Sequence, residues 1–311
     1  MVIALVAAII ALYVFQSFFT KLYTDGYTYD KELATPVFTV ITGTIISLIS
    51  FCVFGSFEFD FNVWCIIIGV ANAAALYGYN YFIVKCARSG PYSIFLTFSM
   101  SGGILFPIIA ALIGGWDAWI GAPIIIVNSV SVLLVVFSVY LTSLKPRSNE
   151  EKTENGKITL SFILNCFALA VSNGLYAILV MLQQRLEIAG GDGNRAEMII
   201  VTYVAAALIS FGVILLKKKG VKRAFSLKRS TLAFSIGAGV VTGFAINLLM
   251  IAIPLVDATV FYTVEHALVL VFSVILSAFV FKEKITRVNI AGIVLMCIAL
   301  AAMNFLPSIL A

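Results

Sequence analysis

The chain has 311 residues, of which 62% are hydrophobic and 11% charged, with a mean hydropathy of +1.09 and a net charge of +5. Soluble domains carry about 25% charged residues, so this composition excludes a water-soluble globule and predicts a polytopic membrane protein. The apolar runs continue for about 20 residues instead of alternating over about 10, which selects helices over a β-barrel.

Taken in chain order, the runs predict ten membrane-spanning helices at residues 2–20, 36–55, 63–84, 91–113, 118–143, 158–182, 197–216, 231–252, 257–281 and 288–305. The first run lacks a basic start and a small-residue cleavage site, so it reads as a retained span. Pro36, Pro91 and Pro123 fall in first turns, Pro254 lies between spans and Pro307 follows the last, where a missing N–H does least harm. Pro107 alone sits deep inside a span.

Several spans carry polar residues on one face. Span one has Tyr13, Gln16, Ser17 and Thr20 at i, i+3, i+4 and i+7, and span three has Tyr77, Asn80 and Tyr81. Span six aligns Asn165, Ser172, Asn173 and Tyr176, and span eight spaces Ser235, Gly239, Gly243 and Asn247 four apart. Close helix packing accounts for any one such stripe. Several together point to a shared wet cavity, because Asn and Tyr amid hydrocarbon need partners. Asn247 on the glycine stripe argues for an interior face over a dimer motif.

Span nine holds Tyr262, Glu265 and His266. In a helix starting at Asp257, Glu265 lies about 12 Å from the start, well inside a hydrocarbon core roughly 30 Å thick. An ionised carboxylate there costs at least about 2.5 kcal/mol, so such residues face a bundle interior or a watery cavity. The bland alternative is a protonated acid bonded to a neighbouring helix. His266 is the only histidine, which excludes a multi-histidine metal site and favours a hydrogen-bonded pair or proton relay. Cys52, Cys65, Cys86, Cys166 and Cys297 show no CxxC and read as small hydrophobes. With no nucleotide-binding motif either, no cofactor or metal is expected.

Of the 20 Lys and Arg, 18 lie in the loops that follow odd-numbered spans. The positive-inside rule then places loops 85–90, 144–157, 217–230 and 282–287 in the cytoplasm and both termini outside. Trp64, Trp116 and Trp119 fall on the opposite interface, as an aromatic belt would. Lys85 and Arg88 sit where snorkelling or attraction of an anionic solute would use them. The basic residues thus follow the membrane potential and anionic lipid, and predict no nucleic-acid partner. The polar linker 144–157 divides the chain into halves 1–143 and 158–311 of five spans each. Since five is odd, repeated halves would be inverted relative to each other. With an offset of 166 residues, Ser93 to Thr97 lies on Thr259 to Thr263, and Asp117 on Glu283.

The end of the chain carries Pro254-Leu255-Val256-Asp257-Ala258-Thr259, then Glu265, then Phe281-Lys282-Glu283-Lys284-Ile285-Thr286, then Gly292. This series resembles the ten-helix, EamA-like type of the drug/metabolite transporter superfamily, which has a proline with small residues, a mid-helix glutamate, a short charged turn and a final helix with a spaced glycine. His266 stands where that family usually has proline, and Phe281-Lys282 replaces its Leu-Gly. The resemblance implies an all-α polytopic membrane protein with two inverted five-helix repeats around a central cavity, alternating access, and Glu283 as a turn feature. Family members are usually described with both termini cytoplasmic, opposite to the charge count here.

On that footing the expected function is secondary transport of a small organic metabolite, amino-acid-like or nucleoside-like, across the plasma or inner membrane. No span interior holds the arginines a polyanion would want. Tyr77, Asn80, Tyr81, Asn173, Tyr176, Asn247, Tyr262 and Gln16 would offer hydrogen bonds and ring faces, and Glu265 with His266 would exchange a proton or meet a cationic group. The expected partners are the small-molecule substrate, the lipid bilayer and protons as coupling ion, with a homodimer left open. The rival readings are a lipid or lipid-linked-sugar flippase, a channel and a membrane-embedded enzyme.

Overall fold

The computed structural model describes residues 2–30, 32–55, 62–89, 98, 102, 122–143, 159–185, 195–217, 221–256, 261, 264–266, 268–269, 271–272, 275–276, 279 and 286–310. Among them all regular structure is helical. In chain order the elements are α1 (Val2–Gly26), α2 (Ala34–Ile49) running into a π-helical turn (Ser50–Phe54), α3 (Val63–Ser89), α4 (Ala122–Ser143) and α5 (Leu160–Arg185). There follow α6 (Arg195–Leu216), the short α7 (Val221–Ala224), α8 (Arg229–Ala252) with a 3₁₀ turn (Ile253–Leu255), and α9 (Arg287–Leu310). Among the described residues, six stretches are long and apolar enough to cross a membrane: Val2–Thr24, Ala34–Phe54, Val63–Phe82, Leu160–Gln183, Arg195–Leu216 and Arg229–Ala252. Helices α4 and α9 stand where spans five and ten are predicted. Predicted span four lies outside the described residues except Phe98 and Gly102, and span nine is described only at scattered positions from 261 to 279.

Local signals start the helices. The Asn62 side chain accepts the Trp64 backbone N–H at 2.8 Å ahead of α3, and Thr159 Oγ1 accepts the Phe162 N–H at 3.2 Å ahead of α5. The helices also outrun the apolar runs: α1 continues to Gly26 and α3 to Ser89, beyond the predicted ends at 20 and 84. A helix satisfies its own backbone groups, so it need not stop where the hydrocarbon stops.

The chain forms two compact units, each assembled from both sequence halves. One comprises residues 1–80 and 179–255, the other 81–178 and 256–311. In the first unit α1 packs along α8, and α2 packs against both α6 and α8. Missing side chains permit the close approach. A methyl group at Gly43 would lie 2.8 Å from the Tyr203 carbonyl oxygen of α6, and one at Gly243 would lie 2.8 Å from Ile49 Cδ1 of α2. Gly239 faces Ile45 in the same way. The glycine stripe of α8 is therefore used within the chain. In the second unit α4 packs on α9, and Gly102 lies so close to the Ala170 backbone of α5 that no Cβ would fit.

At one end of the first unit an apolar cluster of Tyr23, Tyr27, Leu33, Ala34, Val37, Ile214 and Ala224 closes over the helix termini, with Val221, Phe225 and Leu227 packed against it. Tyr23 donates its hydroxyl to the Ala34 carbonyl at 2.9 Å, and Tyr27 donates to the Ala224 carbonyl at 3.2 Å. Thr231 Oγ1 donates to the Gly26 carbonyl at 3.2 Å. The extension of α1 past its apolar run thus has a packing reason: Tyr23 and Tyr27 tie it to α2 and α7.

Candidate functional site

Several hydroxyls inside the spans, Ser235 of the predicted stripe on span eight among them, are satisfied by their own helix. Thr42, Ser47, Ser138 and Thr242 each donate to the carbonyl four residues earlier, at 2.6–2.8 Å, and Ser235 donates to Leu232. Such residues need no cavity. The residues that matter are those whose polar groups reach another helix or stay buried without a partner.

Asn247 of α8 reaches another helix. Its Nδ2 donates to Ser50 Oγ at 2.8 Å and to the Gly243 carbonyl at 2.7 Å, so the amide bridges α8 to the π-helical turn at the end of α2. Both N–H groups are engaged, which leaves Oδ1 as the atom Asn247 can present to a solute. The π turn carries the Gly55 N–H to the Ser50 carbonyl at 2.8 Å, and single π turns of this kind recur at functional positions. Asn80 of α3 donates to Thr39 Oγ1 of α2 at 3.4 Å. Tyr77 and Gln16 are half-buried on α3 and α1. These four predicted residues belong to the first unit.

The second unit holds Tyr81, Asn173, Tyr176, Glu265 and His266. Tyr81 is exposed, with the Lys85 ammonium 5.5 Å from its ring centroid and the Phe82 ring edge-on at 5.3 Å. Asn173 is buried and Tyr176 half-buried on α5. Glu265 is 6% exposed, and its Oε2 lies 2.6 Å from His266 Nδ1. A carboxylate bonded to an imidazole away from water can hold or pass one proton, because moving the proton between them decides whether the pair is ionic or neutral. Tyr262 lies outside the described residues.

The structure adds residues that hydropathy did not single out. Asn72 of α3 is 1% exposed and its Oδ1 has no hydrogen-bond partner. On α6, Glu197 is buried in the first turn and Thr202 donates to the Gly69 carbonyl of α3 at 3.2 Å. Gln183, at the end of α5, is fully buried. Asn72 falls inside a long apolar run off the Tyr77–Asn80 stripe, and Glu197 and Gln183 fall at predicted span edges where solvation is the default, so periodicity gave no reason to mark them. Among the described residues no cluster of three or more His, Cys, Asp or Glu is placed to hold a metal.

Comparisons with known proteins bear on this constellation. No curated protein matches the chain in sequence. A solved structure titled "Crystal structure of protein" aligns over 99% of this chain and 97% of its own, with a TM-score of 0.72 at 14% identity, so the two share a fold. A family model described as the EamA-like transporter family matches residues 160–305. That stretch contains Asn173, Tyr176, Asn247, Glu265 and His266, and it makes residues 160–305 of this multi-pass membrane protein an EamA-like transporter domain of the drug/metabolite transporter superfamily.

Proposed function

We propose that the protein is a secondary carrier that moves a small organic metabolite across the cell membrane by alternating access. Its ten helices form two inverted five-helix halves, 1–143 and 158–311, joined by the cytoplasmic linker 144–157, with loops 85–90, 217–230 and 282–287 on the same side. The observation that carries this reading is the buried Glu265–His266 pair inside the transporter domain. A buried acid at membrane depth that can trade a proton is what coupling needs, and the same carboxylate can receive a cationic group of the substrate. Asn173, Tyr176, Tyr81, Tyr77, Asn80, Gln16, Tyr262 and the Oδ1 of Asn247 supply the polar contacts, which suit an amino-acid-like or nucleoside-like solute. The work is transport and calls for no covalent step. Should the protein be a homodimer, its contact uses a face other than the Gly239/Gly243 stripe, which packs on α2.

The test is a thermal-shift screen of the purified protein against metabolites at acidic and neutral pH, run beside Glu265→Gln, followed by counterflow in proteoliposomes with any hit. A ligand at 100 times its Kd stabilises by about 2.7 kcal/mol. The expected result is a soluble hit whose shift shrinks in the variant and whose counterflow falls at least tenfold. Equal shifts in both proteins remove Glu265 from the site. Stabilisation by lipids alone, with no soluble hit, transfers the reading to a flippase.

A further inference from the structure

The segment between α6 and α8 is built as a platform. Its apolar residues Val221, Phe225 and Leu227 pack into the terminal cluster, Ala224 is 1% exposed, and the Ala224 carbonyl receives the Tyr27 hydroxyl. The backbone folds on itself through Phe225 N–H to Val221 O at 3.2 Å and Ser226 N–H to Arg223 O at 3.2 Å. With one side fastened, the other side turns out Lys222, Arg223, Lys228 and Arg229, all exposed. Among the described residues none of these four side chains makes a hydrogen bond or an ion pair, whereas the neighbouring Lys217 is bridged to Glu32. Of the acids here whose side chains are described, Glu32 is engaged by Lys217, and Asp30 Oδ1 accepts the Glu32 backbone N–H.

Position decides what such a platform meets. Lys217 directly follows the candidate span Arg195–Leu216, and Arg229 is the first residue of the candidate span Arg229–Ala252. The four cations are therefore held at the level where two helices leave the hydrocarbon, within the roughly 8 Å over which charge acts at physiological salt. A soluble phosphate is gripped by donors that converge on one point. Here the four exposed cations are spread along the segment from 222 to 229, a distribution that suits a sheet of anionic headgroups.

We infer that residues 221–229 form an anionic-lipid docking surface, in which Lys222, Arg223, Lys228 and Arg229 engage the phosphates of phospholipids in the adjacent leaflet. Lipid bound there bears on the cluster that ties together the ends of α1, α2, α6 and α8. The inference requires only that the chain spans the membrane, so it stands or falls apart from the role of Glu265.

The experiment is native mass spectrometry of the full-length protein in detergent, titrated with phosphatidylglycerol or phosphatidylcholine. The comparison is with K222Q/R223Q/K228Q/R229Q and with the charge-keeping K222R/R223K/K228R/R229K. At roughly fivefold per cation, the first variant should bind phosphatidylglycerol at least tenfold more weakly, the second should bind like the wild type, and phosphatidylcholine binding should not change. On the wild type alone, raising salt from low to several hundred millimolar should release phosphatidylglycerol. Equal affinity in the wild type and the glutamine variant, no preference over phosphatidylcholine, or salt-insensitive binding would each overturn the inference. Displacement by millimolar inorganic phosphate would do so as well, by reassigning the surface to a soluble anion.

Discussion

Asn247 and Tyr27 show how one polar atom acquires its meaning from a distant partner. Asn247 hands both amide hydrogens to Ser50 and Gly243, so its larger part is structural. Interhelical bonds of this kind in membranes average about 0.6 kcal/mol and reach about 1.7. A double-mutant cycle of Asn247→Ala and Ser50→Ala, read by reversible unfolding in micelles, should return a coupling in that range; zero coupling would mean the bridge contributes nothing. Tyr27 lies beyond the apolar run of α1. Burial above all, then Asp30 and Tyr29, pushes its phenol up to about 12, above the ordinary 10. The folded state therefore holds the proton more tightly than the unfolded one. The stabilisation is fully present below pH 10 and is lost as pH rises to about 12. The melting temperature should fall more steeply across that window in the wild type than in Tyr27→Phe, and identical slopes would remove Tyr27 as the cause.

At the scale of elements, glycine marks where helices meet and where they do not. At Gly43 a new methyl group would press on the Tyr203 carbonyl, a backbone atom that cannot swing aside, whereas at Gly212 it would meet nothing within 4 Å. Gly43→Ala should cost about 1–3 kcal/mol as overpacking. Gly212→Ala should be neutral or add up to about 1 kcal/mol of helix propensity. Unfolding of both variants in the same detergent checks the pair, and a Gly43→Ala protein as stable as the wild type would contradict the α2–α6 packing. The π turn after α2 belongs to this scale too. It lets Ser50 meet Asn247 at the end of a helix whose upper part is set by the glycine contacts of α8.

The whole molecule interlaces its halves. Residues 1–80 complete a unit with 179–255, and 81–178 complete another with 256–311. Neither half of the sequence can bury its own helices without the other. Expressed separately, fragments 1–143 and 158–311 should each be degraded or aggregate, while their coexpression should yield a complex that copurifies and melts cooperatively. A stable, monodisperse single half would refute the interlacing.

Hydropathy and charge by themselves determined that the chain is a helical multi-pass membrane protein, because a bilayer admits only long apolar helices or closed barrels and the runs are too continuous for a barrel. They also brought Glu265 and His266 forward, since a carboxylate within an apolar run is costly wherever it points. The residues near Glu265 carried the family resemblance, and the transporter domain at 160–305 confirms it. What only the tertiary structure decided is which polar atoms are engaged. The partner of Asn247 lies 197 residues away at Ser50, as the partner of Tyr27 does at Ala224, and no local pattern encodes such a distance. Asn72 and Glu197 stayed hidden for the same reason. An isolated polar residue in a span, or one at its edge, says nothing about burial until the neighbouring helix is placed against it.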